Sequence, residues 1–191
     1  MPLRSEVLFI GGRSGVGKSA AAFELHARLS SLGIAHAVIE GDTLDLAFPP
    51  PWEHHLAERN LAAVWANYRA LGYRRLIYTN TVSVRFTDQL AAAMGDDPVV
   101  TAALLTSSDR TAAERLATRI QGSDLQEHQD RSSVAALELE ERTPDRVPRI
   151  DTDGRSVREV ADILLDLTGW AADPAPAPPA PAIQRPAGRP R

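Results

Sequence analysis

Apolar positions along the chain follow two patterns in turn: short unbroken runs, and longer stretches where they return every three or four residues. Glu6 to Ile10 (EVLFI) is a run of the first kind, ends on Gly11-Gly12, and reads as a buried strand entering a tight turn. From Lys18 onward Ala21, Leu25, Leu29 and Leu32 recur at helical spacing, and Gly33 stands where a helix C-terminus takes a left-handed residue. His36 to Ile39 (HAVI) is a second strand, closing on Glu40-Gly41-Asp42. Beyond the stiff Pro49-Pro50-Pro51, residues Leu61, Val64, Trp65, Tyr68 and Leu71 mark one face of a helix that stops at Gly72. Arg75 to Thr81 predicts strand three, Phe86 to Met94 a short helix, and Pro98 to Thr106 strand four. Thr111 to Ile120 predicts a helix opened by a Thr111/Glu114 capping box and broken at Gly122. Ser123 to Ser133 is polar and poorly patterned, Val134 to Glu141 is helical, and Val147 to Asp151 is a fifth short strand. Val157, Val160, Ala161, Leu164 and Leu167 then give a closing amphipathic helix.

Strands alternating with helices imply a mostly parallel sheet covered on both faces, because parallel neighbours need crossover connections. The expected class is a doubly wound, three-layer α/β/α sandwich. With 191 residues, 43% of them apolar, one domain over residues 1–170 is expected. From Ala171 to Arg191 the composition turns to Pro and Ala with a few Arg, which predicts a disordered tail. A formal charge of −4 gives no global attraction for nucleic acid. The absence of cysteine excludes disulfides, zinc-thiolate sites and thiol catalysis, and agrees with a reducing cytoplasm. No apolar run approaches the roughly 20 residues of a membrane span, and the N-terminus has no secretory leader pattern. A cytoplasmic protein is expected, its partner a small molecule rather than a membrane or nucleic acid, with a homodimer left open.

Chemistry enters at the first turn. Gly12-Arg13-Ser14-Gly15-Val16-Gly17-Lys18-Ser19 matches all eight positions of a phosphate-binding loop between a strand and a helix, and Ala20 follows in the first helical turn. Glycines in such a turn let backbone N–H groups converge on an anion, and the following helix adds the positive end of its dipole. Lys18 supplies a mobile charge for the β- and γ-phosphates, and the Ser19 hydroxyl is placed to ligate Mg. Strand three ends Tyr78-Thr79-Asn80 and carries no Mg-organising acid, so the carboxylates must come from elsewhere. Glu40 and Asp42 stand two apart after strand two; at extended spacing both would point to one side, toward the γ-phosphate. One would order Mg and the other accept the proton of an attacking hydroxyl. The alternative is a capping role through an Asx turn at Gly41-Asp42-Thr43. Arg115 and Arg119, four apart on one helix face, and Arg131 beyond the glycine break read as a basic lid around residues 109–133, where arginines would stabilise transferring phosphoryl oxygens. A solvated helix face with surface ion pairs is the competing reading.

On the phosphate loop, the Glu40-Gly41-Asp42 pair and the Arg115-to-Arg131 segment, residues 5 to 168 resemble the P-loop small-molecule kinases: shikimate, gluconate and adenylylsulfate kinases, chloramphenicol phosphotransferase and the tunicamycin-resistance ATP-binding proteins. That resemblance implies a nucleoside monophosphate kinase-like, five-stranded parallel sheet, ATP and Mg as cofactors, and γ-phosphoryl transfer to a hydroxyl of a small acceptor. By the Asp-x-Asp pattern of the group, Asp42 becomes the general base or acceptor ligand and Glu40 the Mg-side carboxylate. Arg115-Leu116-Ala117-Thr118-Arg119 and Asp130-Arg131 are similar to segments of the tunicamycin-resistance proteins, which implies that Arg119 stacks on adenine and Arg131 reaches phosphate. Asp151-Thr152-Asp153-Gly154 resembles the loop that passes the adenine ring, which implies a place for Asp153 in the nucleotide set; the alternative is that Asp153 is an N-cap neighbour. The acceptor is then expected between the Asp42 loop and the Trp65/Tyr68 helix, with Trp52, His54, His55, Asn80 and Arg85 as wall candidates. Trp65 and Tyr68 themselves share the apolar stripe of a core helix.

Overall fold

The computed structural model describes residues 4–118 and 124–172. Five strands, β1 (Glu6–Gly11), β2 (Ala37–Glu40), β3 (Arg75–Thr79), β4 (Val99–Thr106) and β5 (Arg149–Asp151), form one sheet in the order β2-β3-β1-β4-β5, with every pairing parallel. The described helices are α1 (Lys18–Ser31), α2 (Leu56–Ala70), α3 (Thr87–Met94), α4 (Asp109–Ala117), α5 (Asp124–Arg142) and α6 (Val157–Thr168).

Because β1 is buried on both faces, its residues are apolar without interruption and its alternate side chains serve two different cores. Leu8 and Ile10 join Ile77, Ala103 and Leu105 beneath α1 and α6, whereas Val7 and Phe9 join Leu76 and Tyr78 beneath α2 and α3. Each fully buried Leu, Ile or Phe contributes about 1.5–3 kcal/mol of transfer free energy, so the layers are held chiefly by this packing. At the N-terminal end of the sheet Arg75 and Trp170 both donate to Glu6, at 3.1 and 2.8 Å, which fixes the chain after α6 against β1 and β3. All functional loops leave from the opposite, C-terminal end. β1 lies between β3 and β4, so the connections to either side of it diverge and open a crevice at that end.

Three local expectations are corrected. α4 begins two residues early because Ser108, with its side chain accepting from Thr111 N, is the N-cap in place of Thr111. Ser123 to Ser133 is not an irregular connection: from Asp124 it is helical and continuous with 134–141, forming the 19 residues of α5. Its polar side chains are used in contacts with the loop after β1, so the apolar period that would betray a helix is absent. Glu40 and Asp42 do not share one side of an extended strand, because Gly41–Thr43 turns into a 3-10 helix immediately after Glu40.

The disordered-tail expectation and Arg119 fall on residues outside the described set, as do 119–123 of the expected lid. Among the described residues, no helix is long and apolar enough to cross a membrane.

Candidate functional site

The loop between β1 and α1 is shaped by backbone needs that only glycine meets. Gly12 has φ +143°, and a Cβ there would lie 2.7 Å from Leu105 O on β4. Gly17, also left-handed, is the N-cap of α1 and brings no capping side chain, and no acidic residue stands in the first turn. The leading N–H groups of the helix, which have no intrahelical acceptors, therefore face outward with the positive dipole end behind them. Lys18 folds back over this turn, 8% exposed, its Nζ donating to Gly12 O at 2.7 Å and Arg13 O at 3.3 Å. Ser19 and Ala20 are half-buried in the first turn. An uncapped helix start, glycine backbone and one ammonium together make an anion cradle suited to a polyphosphate.

Long-range contacts hold the cradle. Gly12 N donates to Thr81 O beyond β3 (3.1 Å), and Val16 O accepts from Arg115 Nη1 (3.0 Å) and lies 3.2 Å from Thr152 Oγ1. Arg115 also donates to Thr152 Oγ1 and Thr152 O, at 3.0 and 3.2 Å. It thus ties the loop to the segment after β5. The guanidinium borders a cleft of about 230 Å³ lined also by Val16, Ala20, Thr152, Arg155 and Val157. Apolar walls beside the phosphate loop suit a flat heteroaromatic ring.

The Arg13 side chain does not turn toward the cradle. It is 5% exposed and reaches across to the helices after β4: Nε donates to Ser132 Oγ (2.9 Å), Nη2 to Ser133 Oγ (3.2 Å) and Nη1 to Asp109. Only the backbone of Arg13 is left for a phosphate. The hydrogen bond and charge of Arg13 hold the Asp109 carboxyl below its usual range. Asp153 likewise faces away from the cleft and accepts from Ser108 N (3.1 Å) at the start of α4; hydrogen bonding from Ser108 is the main cause of its lowered pKa.

On the β2–β3 side, Asp42 is exposed and its Oδ1 accepts from Asn80 Nδ2 (2.8 Å) and Thr81 N (3.0 Å). Asn80 N in turn donates to Ile10 O (3.2 Å) near the end of β1, and Thr81 O accepts from Gly12 N, so the carboxylate is braced against the segment that leads into the phosphate loop. Gly41 permits this approach: a Cβ there would overlap the buried Tyr78 ring. Burial, then the charges of Asp42, Asp45 and Glu58, push the Tyr78 phenol pKa up and keep it protonated. Glu40 is half-buried at the strand end.

The other expected residues divide. Arg85 pairs with Glu138 on α5 (3.6 Å) and lies over the Phe86 ring (5.3 Å), so its charge is already engaged within the protein. Arg131 is exposed on α5, 3.4 Å from His128 Nδ1. Trp65 is fully buried in the core, and Tyr68 packs edge-on against Tyr73 (5.6 Å). His54 and His55 are exposed, and the Trp52 side chain lies outside the described ones. Among the described residues, no group of three or more His, Asp or Glu could hold a metal by itself. A protein that binds Mg through phosphates and one or two side chains needs no such group. Thr81, Asp109, Ser132 and Ser133 were not singled out in the sequence, because each acquires its role only from a partner far along the chain: Gly12 for Thr81, and Arg13 for the other three.

No family model matches the sequence, and no curated protein matches it. Solved structures do match its fold. The tunicamycin resistance protein of Deinococcus radiodurans superposes with a TM-score of 0.61 at 24% identity, over 87% of this chain and 96% of that one. A gluconokinase from Sinorhizobium meliloti gives 0.56 at 19% identity, over 89% and 95%. The APS kinase of Mycobacterium tuberculosis, in complex with AMPPNP and APS, gives 0.55 at 19% identity, over 87% and 98%. The chain has the fold of the P-loop small-molecule kinases.

Proposed function

We propose that the protein is a kinase that transfers the γ-phosphoryl group of Mg-ATP to a hydroxyl of a small acceptor, a metabolite, nucleoside or antibiotic. The observation that carries this reading is the bracing of Asp42 on Asn80 and Thr81, one hydrogen bond from the root of the phosphate loop. A carboxylate fixed at that edge of the cradle stands where it can receive the proton of an acceptor hydroxyl. The likeness in fold to kinases acting on small molecules supports the same reading.

In this reading the loop amides and Lys18 grip the triphosphate, and the cleft beside Arg115 and Thr152 takes the base. Ser19, with Glu40 on the acid side, would hold Mg, whose charge neutralises phosphate oxygens. The acceptor hydroxyl sits against Asp42, whose Oδ1 is fixed by Asn80 and whose Oδ2 makes no hydrogen bond among the described residues. As the acceptor oxygen forms its bond to the γ-phosphorus, the bond from that phosphorus to the bridging oxygen breaks, and the hydroxyl proton passes to the Asp42 carboxylate. Preset orientation of the carboxylate removes part of the entropic barrier. Arg131 on α5, from the expected lid, supplies positive charge near the transferring group.

The test is transfer from labelled ATP to a panel of hydroxyl compounds, read above water hydrolysis, with the Asp42→Asn variant alongside. Turnover should fall by about 10²–10⁴-fold while Mg-nucleotide affinity stays within a few-fold. Equal turnover by the variant removes Asp42 as the base. Tight nucleotide binding with no transfer to any acceptor would instead favour an ATP-binding protein of little catalytic activity.

A further inference from the structure

The phosphate loop carries a buried arginine whose side chain has nothing to do with phosphate. Arg13 and Ser14 are joined to α5 by three side-chain contacts: Arg13 Nε to Ser132 Oγ (2.9 Å), Arg13 Nη2 to Ser133 Oγ (3.2 Å) and Ser132 Oγ to Ser14 O (2.8 Å). Asp109 at the head of α4 closes the ring, accepting from Arg13 and, at 3.4 Å, from Ser133 Oγ. A guanidinium 5% exposed is costly to leave without these acceptors, so the loop and the two helices are most stable when all the contacts form together. The same loop is the element whose backbone must adopt one conformation around a phosphate. Two demands thus meet on one short segment: its glycine-shaped backbone leads into the uncapped start of α1 that forms the cradle, and the side chain of residue 13 faces α5.

We propose that Arg13 is a positioning residue that makes phosphate occupancy of the loop and docking of α5 a single linked event. When the loop settles around a polyphosphate, Arg13 is held where Ser132, Ser133 and Asp109 receive it, and α5 is held with them. Arg131, adjacent to Ser132 on the same helix, is thereby brought to a fixed place. Linkage is reciprocal, so undocking α5 must weaken the nucleotide by the factor with which nucleotide strengthens docking. This rests on the nucleotide-binding part of the proposed function and not on phosphoryl transfer.

Two readouts decide it, both on the full chain with Mg-ADP and with Mg bound to a non-hydrolysable ATP analogue. Amide hydrogen exchange over residues 124–142 should slow on nucleotide addition in the unmodified protein. In Arg13→Ala, brought to saturation with nucleotide, that slowing should vanish. If Arg13 were only a structural brace, exchange would be faster with and without nucleotide and the nucleotide-dependent difference would persist, which overturns the proposal. So does the absence of any slowing in the unmodified protein.

Affinity supplies a test by sign. Asp109→Asn removes a negative charge from the neighbourhood of an anion site, and Coulomb's law alone predicts tighter nucleotide binding. Linkage through Arg13 predicts the opposite, a loss within the roughly 5- to 150-fold range of such couplings. Asp109→Asn combined with Arg13→Ala should cost no more than Arg13→Ala alone, since one contact cannot be lost twice. Tighter binding in Asp109→Asn, or full additivity, rejects the link. Where Arg13→Ala does not fold, Ser133→Ala and Arg13→Lys remove part of the ring and should each give a smaller effect of the same sign. Catalytic failure with intact coupling would count against the kinase reading and leave this inference standing.

Discussion

The turn after β1 and the turn after β2 leave the same edge of the sheet, yet they are built in opposite ways. The first is anchored from four sides, by Thr81, Arg115, Thr152 and Ser132, and its Arg13 side chain is buried. The second carries Asp42 on a pair of hydrogen bonds and then runs into residues 44–51, where Leu46 is 81% and Phe48 97% exposed. A polyphosphate is the same object for every nucleotide-using protein, so a rigid cradle suits it. An acceptor differs from protein to protein, and in the proposed function its wall falls to this less constrained loop.

The contrast can be broken first at Lys18. Lys18→Ala removes the charge that lies over the cradle, and Mg-nucleotide affinity should fall by about 100-fold, in line with loss of charge-assisted hydrogen bonds of about 1.5–3 kcal/mol. Calorimetry showing unchanged affinity would remove the loop from the site. Gly41→Ala tests the second turn by bulk, since the new Cβ meets the buried Tyr78 ring. Overpacking there should lower stability by about 1–3 kcal/mol, visible as an earlier thermal or urea midpoint, and should displace Asp42 so that turnover falls while nucleotide affinity holds. A variant as stable and as active as the parent would show that the turn has room to spare.

A smaller effect is expected from pH. Asp153 has its pKa lowered by hydrogen bonding from Ser108, so the folded state favours its ionised form. The anchoring of α4 is complete above the ordinary carboxylate range and is lost as pH falls through the depressed value. Amide exchange at 108–112 should accelerate on acidification, and Asp153→Asn should flatten that dependence; an unaltered profile in the variant would exclude Asp153 as its source. The smallest change in stability belongs to the exposed loop. Leu46→Ser and Phe48→Ser should leave stability within about 0.5 kcal/mol and nucleotide affinity untouched, yet raise the acceptor KM. An equal rise in nucleotide KM would mean that the two turns are not independent.

Much of the fold is legible in the sequence, and the reason is local. The Glu6–Gly11 strand, the glycine turn and the Lys18 helix are specified by adjacent residues, as are the apolar strands and the α6 stripe. Reading failed where partners lie far along the chain. Ser132 and Ser133 look like surface serines until Arg13, more than a hundred residues earlier, is placed against them. The Thr111/Glu114 pattern predicts a cap at Thr111, but Ser108 stands nearer the strand end and takes the position. The contacts of Arg115 are likewise distant in sequence: its guanidinium donates to Val16 O in the phosphate loop and to Thr152 after β5.

The sequence alone determined a glycine-shaped turn between β1 and the helix opened by Lys18, because the run of glycines and one lysine admits little else at that spacing. It also settled an alternating α/β order, since the two hydrophobic periods are properties of short segments. Only the tertiary structure decided where the charged side chains of the candidate site point. A guanidinium or carboxylate takes its direction from whichever oxygens and N–H groups the packed layers bring within about 3 Å, and those groups are set by topology, not by neighbours in sequence.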